Sequence, residues 1–188
     1  MLTAKGLLVS KAGVGIAINP MERWSLLDPD VLAWLVHIGS AGLVGALIEL
    51  RAGVDPAAAA LAATRRSPRQ VQRLGVAVSR LDTCGDGSVL AAATDCHLVL
   101  LDASCNTLYA RLAEAVAASL ALLCLLRGCG AYREAVSPSL YRDLLGAVER
   151  REAKAACDVA SGIVARSAAL AAAASRGSDA GAVETIRE

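Results

Sequence analysis

The sequence predicts an all-α protein: an antiparallel bundle of about seven helices that follows a small β-hairpin. Apolar residues make up 55% of the chain and are mostly Ala, Leu and Val. Ala and Leu are strong helix formers, and the long segments rich in them contain few β-branched runs. Aromatic residues make up 3% and Phe is absent, so the predicted core is aliphatic. The connections between the predicted helices are short, which suits an antiparallel bundle.

Length, charge and cysteine usage narrow the class of protein. A chain of 188 residues suits one medium-sized domain. Its formal net charge of +1 gives no reason to expect bulk attraction to nucleic acid or to a membrane. The six cysteines lack CxxC pairs, so we expect reduced, mostly buried thiols and a cytoplasmic location. The most apolar run, residues 115–126, is shorter than the roughly 20 residues of a membrane span.

The N-terminal segment differs from the helical remainder. Residues 2–6 suggest the last turn of a helix that a glycine ends. Leu7–Ser10 and Ile16–Ile18 flank a Gly-rich turn, the pattern of a β-hairpin. Residues 21–27 are predicted to be a linker with Trp24 buried, and Asp28-Pro29 is a strong helix start.

The remaining elements are predicted from helical periodicity and from Pro and Gly positions. The helix over residues 43–64 should kink or break near Pro56. Ser67-Pro68 begins a helix to about Leu81, and Gly128-Cys129-Gly130 ends a long one in which Leu108 faces inward. The other predicted helices span residues 29–38, 88–104, 107–127, 138–149 and 152–174, and residues 176–188 are expected to form a flexible tail.

Several segments, in order, resemble one family. LTAKGLLVSKAGVGIAINP is similar to the end of a recognition helix and the wing of a winged helix-turn-helix. RWSLLDPDVLAWL, ELRAGVDPAAAALAATR, TDCHLVLLDASCNTL and LYRDLLGAVERREAKAA resemble successive parts of an all-helical domain. The chain thus resembles the bacterial GntR family of transcription regulators, in its FadR-like branch with an FCD effector-binding domain. The linker is most similar to regulators of sugar-acid catabolism, such as galactonate-responsive repressors.

The resemblance implies a domain division and a limit on DNA binding. Residues 1–20 would be a remnant of the winged helix, 21–27 the linker, 28–175 the effector-binding and dimerisation domain, and 176–188 the tail. Met1 falls inside the recognition-helix region, so we expect the first DNA-binding helices to be missing. The wing residues Lys11, Gly13 and Gly15 could contact phosphate or a minor groove, which positions a protein without reading sequence. DNA would be a partner only if the missing module were supplied.

Many FCD domains hold a divalent metal with one Asp and three His, and this chain departs from that set. Ala93 stands at the Asp position, and Tyr141 and Ile163 stand at two of the His positions. Asp95 is two residues from His97, about 200° around a helix, so it should point away. A single imidazole cannot make a site that needs about four ligands. We therefore expect no metal and no cofactor.

Four residues are candidates for contact with a small-molecule effector. Arg51 could donate two hydrogen bonds to a ligand carboxylate, as the resemblance implies, or it could pair with Asp55, four residues later. His97 could donate to a ligand or be a satisfied core histidine. Asn106 could contact ligand or cap a helix, and Tyr141 could offer its hydroxyl or simply pack.

Two cysteines occupy unusual positions in the motif around His97. Cys96 and Cys105 stand where the family usually has Phe and Gly. Cys105 is harder to accommodate if that glycine has a positive φ. Core filling is the simplest role for both thiols, and redox sensing by them is the alternative.

The resemblance implies a regulator whose helical domain forms a homodimer and binds a small carboxylate such as a sugar acid. The alternative is a stand-alone interaction module that pairs with a full-length paralogue, or an inert fragment of a regulator. Catalysis is not expected, because no Ser/His/Asp arrangement or phosphate-binding Gly loop is evident. We also expect no association with a membrane.

Overall fold

Two short antiparallel strands precede the helical body. The computed structural model describes residues 2–11, 13, 15–39 and 41–184. Strand β1 spans Leu8–Lys11 and β2 spans Gly15–Ile18, with Val9 opposite Ala17. The predicted hairpin is therefore confirmed, and a 3-10 turn over Met21–Arg23 follows it.

Helices form the rest of the described chain, which confirms the predicted all-α class. The eight α-helices in the described residues are α1 Pro29–His37, α2 Ala41–Arg65, α3 Pro68–Thr83, α4 Asp86–Ala103, α5 Thr107–Ala110, α6 Ala113–Ala135, α7 Pro138–Glu149 and α8 Ala153–Glu184. Helix α2 lies at the centre, because it contacts α4, α6, α7 and α8. Most of the buried side chains are aliphatic, as the composition predicts.

The helix starts confirm the capping signals in the sequence. Asp28 accepts hydrogen bonds from the backbone N–H groups of Asp30 and Val31 and also pairs with Lys5. Ser67 and Gln70 form a capping box at the start of α3. Trp24 is half-buried rather than buried, and its ring centroid lies 5.4 Å from that of Trp34.

The predicted break at Pro56 is wrong, because α2 runs as one helix through this residue. Proline removes one backbone N–H, so the carbonyl of Ala52 loses its helical donor. Packing against four other helices holds the segment helical and outweighs that local cost. Tertiary contacts often override local propensity in this way.

The predicted helix over residues 107–127 is wrong in its first part, and its predicted end at Gly128 is confirmed. The structure has the single turn of α5, a break at Arg111-Leu112, and then α6, whose helical part up to Arg127 is interrupted at Gly128 before a second part reaches Ala135. Gly128 adopts φ 78° and ψ 153°, and the two parts of α6 meet there at a bend of 119°. Leu108, predicted to face inward, is 75% exposed because it belongs to the short α5.

Helix α8 extends beyond its predicted end near residue 174 and reaches Glu184, inside the predicted tail. The last four residues of that tail lie outside the described residues. By length and composition alone, Ala153–Ala173 could cross a membrane. Core helices of bundles meet the same criterion, and α8 packs along α2.

Candidate functional site

Four polar side chains meet inside the bundle between α2, α4 and α7. Arg51 and Asp55 come from α2, His97 from α4 and Tyr141 from α7. Their exposed fractions are 0%, 3%, 3% and 2%. Groups so polar are rarely buried without partners, so their mutual geometry defines the site. We call these four residues the polar cluster.

The carboxylate of Asp55 joins the two basic members of the polar cluster. Its Oδ2 accepts a hydrogen bond of 3.0 Å from Arg51 Nε, as the i, i+4 spacing on α2 allows. His97 Nδ1 lies 3.1 Å from the same oxygen but without the alignment of a good hydrogen bond. Burial would raise the pKa of Asp55, but His97 and Arg51 outweigh burial and hold that pKa below its usual value. Asp55 is therefore ionised at neutral pH.

His97 is neutral, and its tautomer follows from its neighbours. Arg51 Nη2 lies 3.1 Å from His97 Nε2, and the Tyr141 hydroxyl lies 3.0 Å from the same nitrogen. A guanidinium can only donate, so Nε2 accepts and Nδ1 carries the hydrogen. Burial, and next the charge of Arg51, hold the pKa of His97 below its usual value, although Asp55 acts in the opposite direction.

One end of the Arg51 guanidinium is only weakly bonded. Its Nη1 reaches the hydroxyls of Ser119 on α6 and Ser167 on α8 at 3.5 Å each, the outer limit of a hydrogen bond. Two other oxygens, Asp55 Oδ1 and the Tyr132 hydroxyl, are buried with no hydrogen-bond partner among the described residues. The site therefore has donor and acceptor atoms that could form further hydrogen bonds with a ligand.

A small cavity adjoins the polar cluster on the side of α7 and α8. It measures about 10 Å³ and is lined by Tyr132, Tyr141, Ile163 and Ser167, among others. That volume suits about one water molecule. Any larger ligand must separate the elements that line it.

Asn106 is not part of the polar cluster. Its side chain caps α5 by accepting a 3.0 Å hydrogen bond from the backbone N–H of Leu108. Cys105, beside it, is exposed and has φ 51°, a positive value that favours the glycine usual in the family at this position. Cys96 is buried on α4, and burial raises the pKa of its thiol to about 12.

Lys11, Gly13 and Gly15, which the resemblance implies for DNA contact, lie on the hairpin and not in the polar cluster. Gly13 and Gly15 have positive φ angles of 76° and 94°, and a Cβ at either would meet no atom within 4 Å. The turn conformation, rather than packing, therefore favours glycine there. Lys11 ends β1, and its side chain lies outside the described residues.

The residues around His97 do not fit a divalent-metal site. Ala93, Tyr141 and Ile163 are buried where the resemblance implies ligands. Asp95 pairs at 2.7 Å with Arg80 on the surface, as its helical position predicts. Within residues 2–184, apart from the three undescribed positions, no group of three or more His, Cys, Asp or Glu residues could hold a metal. The Arg51 cation already donates to the buried imidazole.

Sequence reasoning missed part of this site. The sequence predicts Asp55 only as a partner of Arg51, although Asp55 also faces His97. Ser119 and Ser167, which face Arg51 Nη1, are not among the predicted site residues. Ser119 is the one hydroxyl in the apolar run of residues 115–126, and a lone polar residue on a buried helix is the signal that could have found it.

Known proteins resemble this chain in fold and in one family profile. Residues 46–166, well over half of the chain, match the FCD domain. Comparison with curated protein sequences gives no match. Among solved structures, a GntR protein of Streptococcus agalactiae is 22% identical with a TM-score of 0.62, over 88% of this chain and 75% of that one.

A second structure supports the same fold. The transcriptional regulator described as a GntR family member from Pseudomonas syringae pv. tomato str. DC3000 is 15% identical with a TM-score of 0.61. The match covers 96% of this chain and 69% of that one. The chain belongs to the FCD domain family, and its fold is similar to that of these two GntR proteins.

Proposed function

We propose that this chain is the effector-binding part of a GntR-type transcription regulator and that its effector is a small carboxylate such as a sugar acid. The observation that carries the proposal is the weakly bonded Nη1 of the buried Arg51, which faces two hydroxyls at 3.5 Å. A carboxylate there would form charge-assisted hydrogen bonds that the serine hydroxyls cannot match.

The remaining polar atoms favour a ligand with hydroxyl groups as well as a carboxylate. Asp55 neutralises the charge of Arg51, so charge alone does not select an anion. However, Asp55 Oδ1 lacks a donor and the Tyr132 hydroxyl lacks a partner. Hydroxyl groups of a sugar acid could donate to the first and accept from the second, which would satisfy two costly buried groups.

The small volume of the cavity makes binding depend on a conformational change. Ligand pockets usually enclose about 300–1,000 Å³, whereas this cavity encloses about 10 Å³. We propose that the effector binds a state in which α7 and α8 stand further apart. It would act by its differential affinity for the two states, which is the thermodynamic requirement for a switch.

Thermal denaturation with a panel of aldonates and related hydroxy acids tests the proposal. We expect at least one acid to raise the melting temperature of the wild-type protein. Tyr141→Phe and Ser167→Ala should reduce that shift, because each removes one hydroxyl near Arg51 and preserves packing. Tyr109→Phe is the matched control, since Tyr109 is half-buried in a separate core cluster. No shift with any acid, or an equal loss in the control, would contradict the proposal.

We further propose a cytoplasmic homodimer that binds DNA only together with a recognition helix. All six cysteines are free thiols, which suits a reducing compartment. Among the described residues before Pro29 there is a hairpin and a 3-10 turn but no α-helix. The wing around Gly13 and Gly15 could contact phosphate but could not read base edges from the major groove.

A further inference from the structure

The bend in α6 brings two cysteine thiols together. In a straight helix, residues five apart point in directions about 140° apart. Here Gly128 interrupts the helix between Cys124 and Cys129, and their Sγ atoms lie only 3.0 Å apart. A disulfide bond is about 2.05 Å long, so a shift of about 1 Å would join them.

The two thiols differ in exposure. Cys129 is exposed and Cys124 is buried. Burial and the neighbouring thiol raise the pKa of Cys124 to about 11. Both line a surface cleft of about 440 Å³, together with Val36 and His37 of α1 and Leu90 of α4. A small oxidant can reach Cys129 from solvent, whereas Cys124 is buried next to it.

We propose that Cys124 and Cys129 form an oxidisable dithiol, which a peroxide converts into an intramolecular disulfide across the bend of α6. Disulfides in cytosolic proteins are usually transient and redox-sensing. The pair is distinct from the polar cluster, and none of its residues belongs to the proposed effector site.

The reaction proceeds in two balanced steps. The Cys129 thiolate attacks one oxygen of hydrogen peroxide; the O–O bond breaks, and Cys129 becomes a sulfenic acid while the departing hydroxide takes the thiol proton as water. Cys124 sulfur then attacks Cys129 sulfur, the S–O bond breaks, and hydroxide leaves with the Cys124 proton as a second water. Two thiols are oxidised to one disulfide, and one peroxide is reduced to two waters.

The other cysteines lack this geometry. Cys105 is exposed, but its Sγ hydrogen-bonds to a backbone carbonyl at 3.9 Å and not to another thiol. Cys96 is buried, and its thiol has a pKa raised by burial to about 12. In the described part of the chain, no other two Sγ atoms lie within hydrogen-bond distance. Cys124 and Cys129 are therefore the pair best placed to form a disulfide bond.

Mass spectrometry of the full chain after reduction and stoichiometric hydrogen peroxide tests the proposal. We expect loss of two hydrogens in mass, loss of two of the six thiols in a denaturing thiol assay, and a Cys124–Cys129 cross-link in the peptide map. Dithiothreitol should restore both thiols. A cross-link between other cysteines, or no cross-link at all, would overturn the proposal.

Three variants establish the order of the steps. Cys124→Ser removes the second thiol, so a sulfenic acid should persist at Cys129 and be trapped by dimedone. Cys129→Ser should abolish the cross-link, and because this side chain is exposed the variant should fold. Cys105→Ser is the matched control, since it removes the other exposed thiol and should leave the cross-link unchanged. Dimedone labelling at Cys124 in the Cys129→Ser variant, with none at Cys129 in Cys124→Ser, would contradict the assigned roles.

Discussion

At the scale of single residues, His97 makes the stability of the fold sensitive to acid. Its folded-state pKa is held below the usual 6.5, whereas in the unfolded chain it takes up a proton near that value. Between the two pKa values the unfolded state binds more protons, so stability falls as pH falls below about 6.5 and is level above it. The slope cannot exceed about 1.4 kcal/mol per pH unit for this one group.

Urea denaturation between pH 7.5 and pH 5 measures this dependence. We expect the free energy of unfolding of the wild type to decrease over that range and the slope to be smaller in His97→Gln. His37→Gln is the control, because His37 is exposed on α1, and it should keep the wild-type slope. An unchanged slope in His97→Gln would show that His97 does not stay neutral in the fold.

Arg51 and Asp55 should each be costly to remove alone. Both are buried and paired, and removing one partner leaves an uncompensated charge, at a cost of about 3–5 kcal/mol. We therefore expect Arg51→Met and Asp55→Asn to destabilise strongly and the double variant to be more stable than the sum predicts, by about 1 kcal/mol or more. A double-mutant cycle from urea denaturation measures this coupling, and additivity would argue against it.

At the scale of elements, the end of α4 carries local strain at Cys105. Its φ of 51° lies in the left-handed region, which costs a non-glycine residue about 1–2 kcal/mol. Since the side chain is exposed, Cys105→Gly should lose little packing and stabilise the protein by about 0.5–1 kcal/mol after the entropy of glycine is counted. The urea midpoint is the measurement.

The same substitution within a helix provides the contrast for Cys105. Cys157 lies inside α8 with helical backbone, so Cys157→Gly should destabilise by about 0.3 kcal/mol through helix propensity, and the lost packing of this half-buried side chain should add to that. If both substitutions destabilise equally, the positive φ at Cys105 is not the source of strain.

The sequence predicted helix starts better than helix interiors and ends. Asp28-Pro29 and Ser67-Pro68 begin helices because their capping bonds are local. Gly128 interrupts its helix as predicted, whereas Pro56 and the break at Arg111-Leu112 contradict the predicted helix interiors. Helix propensities describe isolated segments in water, whereas these residues lie in segments that pack into the bundle, where tertiary contacts can override propensity.

At the scale of the whole molecule, α8 leaves apolar surface uncovered. In the most apolar 18-residue stretch of Ala153–Ala173, only 22% of the residues are buried against the rest of the protein. Exposed alanines recur along one face at positions 165, 168, 169 and 172. Large exposed apolar surfaces favour association, which supports the proposed homodimer.

Sedimentation equilibrium tests the homodimer and the face that forms it. We expect the wild type to have the mass of two chains and Ala169→Lys to weaken the association at least tenfold, because a charge would enter an apolar interface. Ala52→Lys is the matched control, as Ala52 is an exposed helical alanine on α2. A monomeric wild type would contradict the homodimer, and equal effects of both variants would contradict the face.

Composition, capping residues and family motifs are local patterns, and they predict the fold class, the hairpin and three of the four members of the polar cluster as candidates. Tertiary structure alone decided that Arg51, Asp55, His97 and Tyr141 meet, that Asn106 caps a helix instead, and that Cys124 and Cys129 face each other. Most of these contacts join different helices or cross a bend. Their distances depend on how the whole bundle packs, which no local pattern specifies.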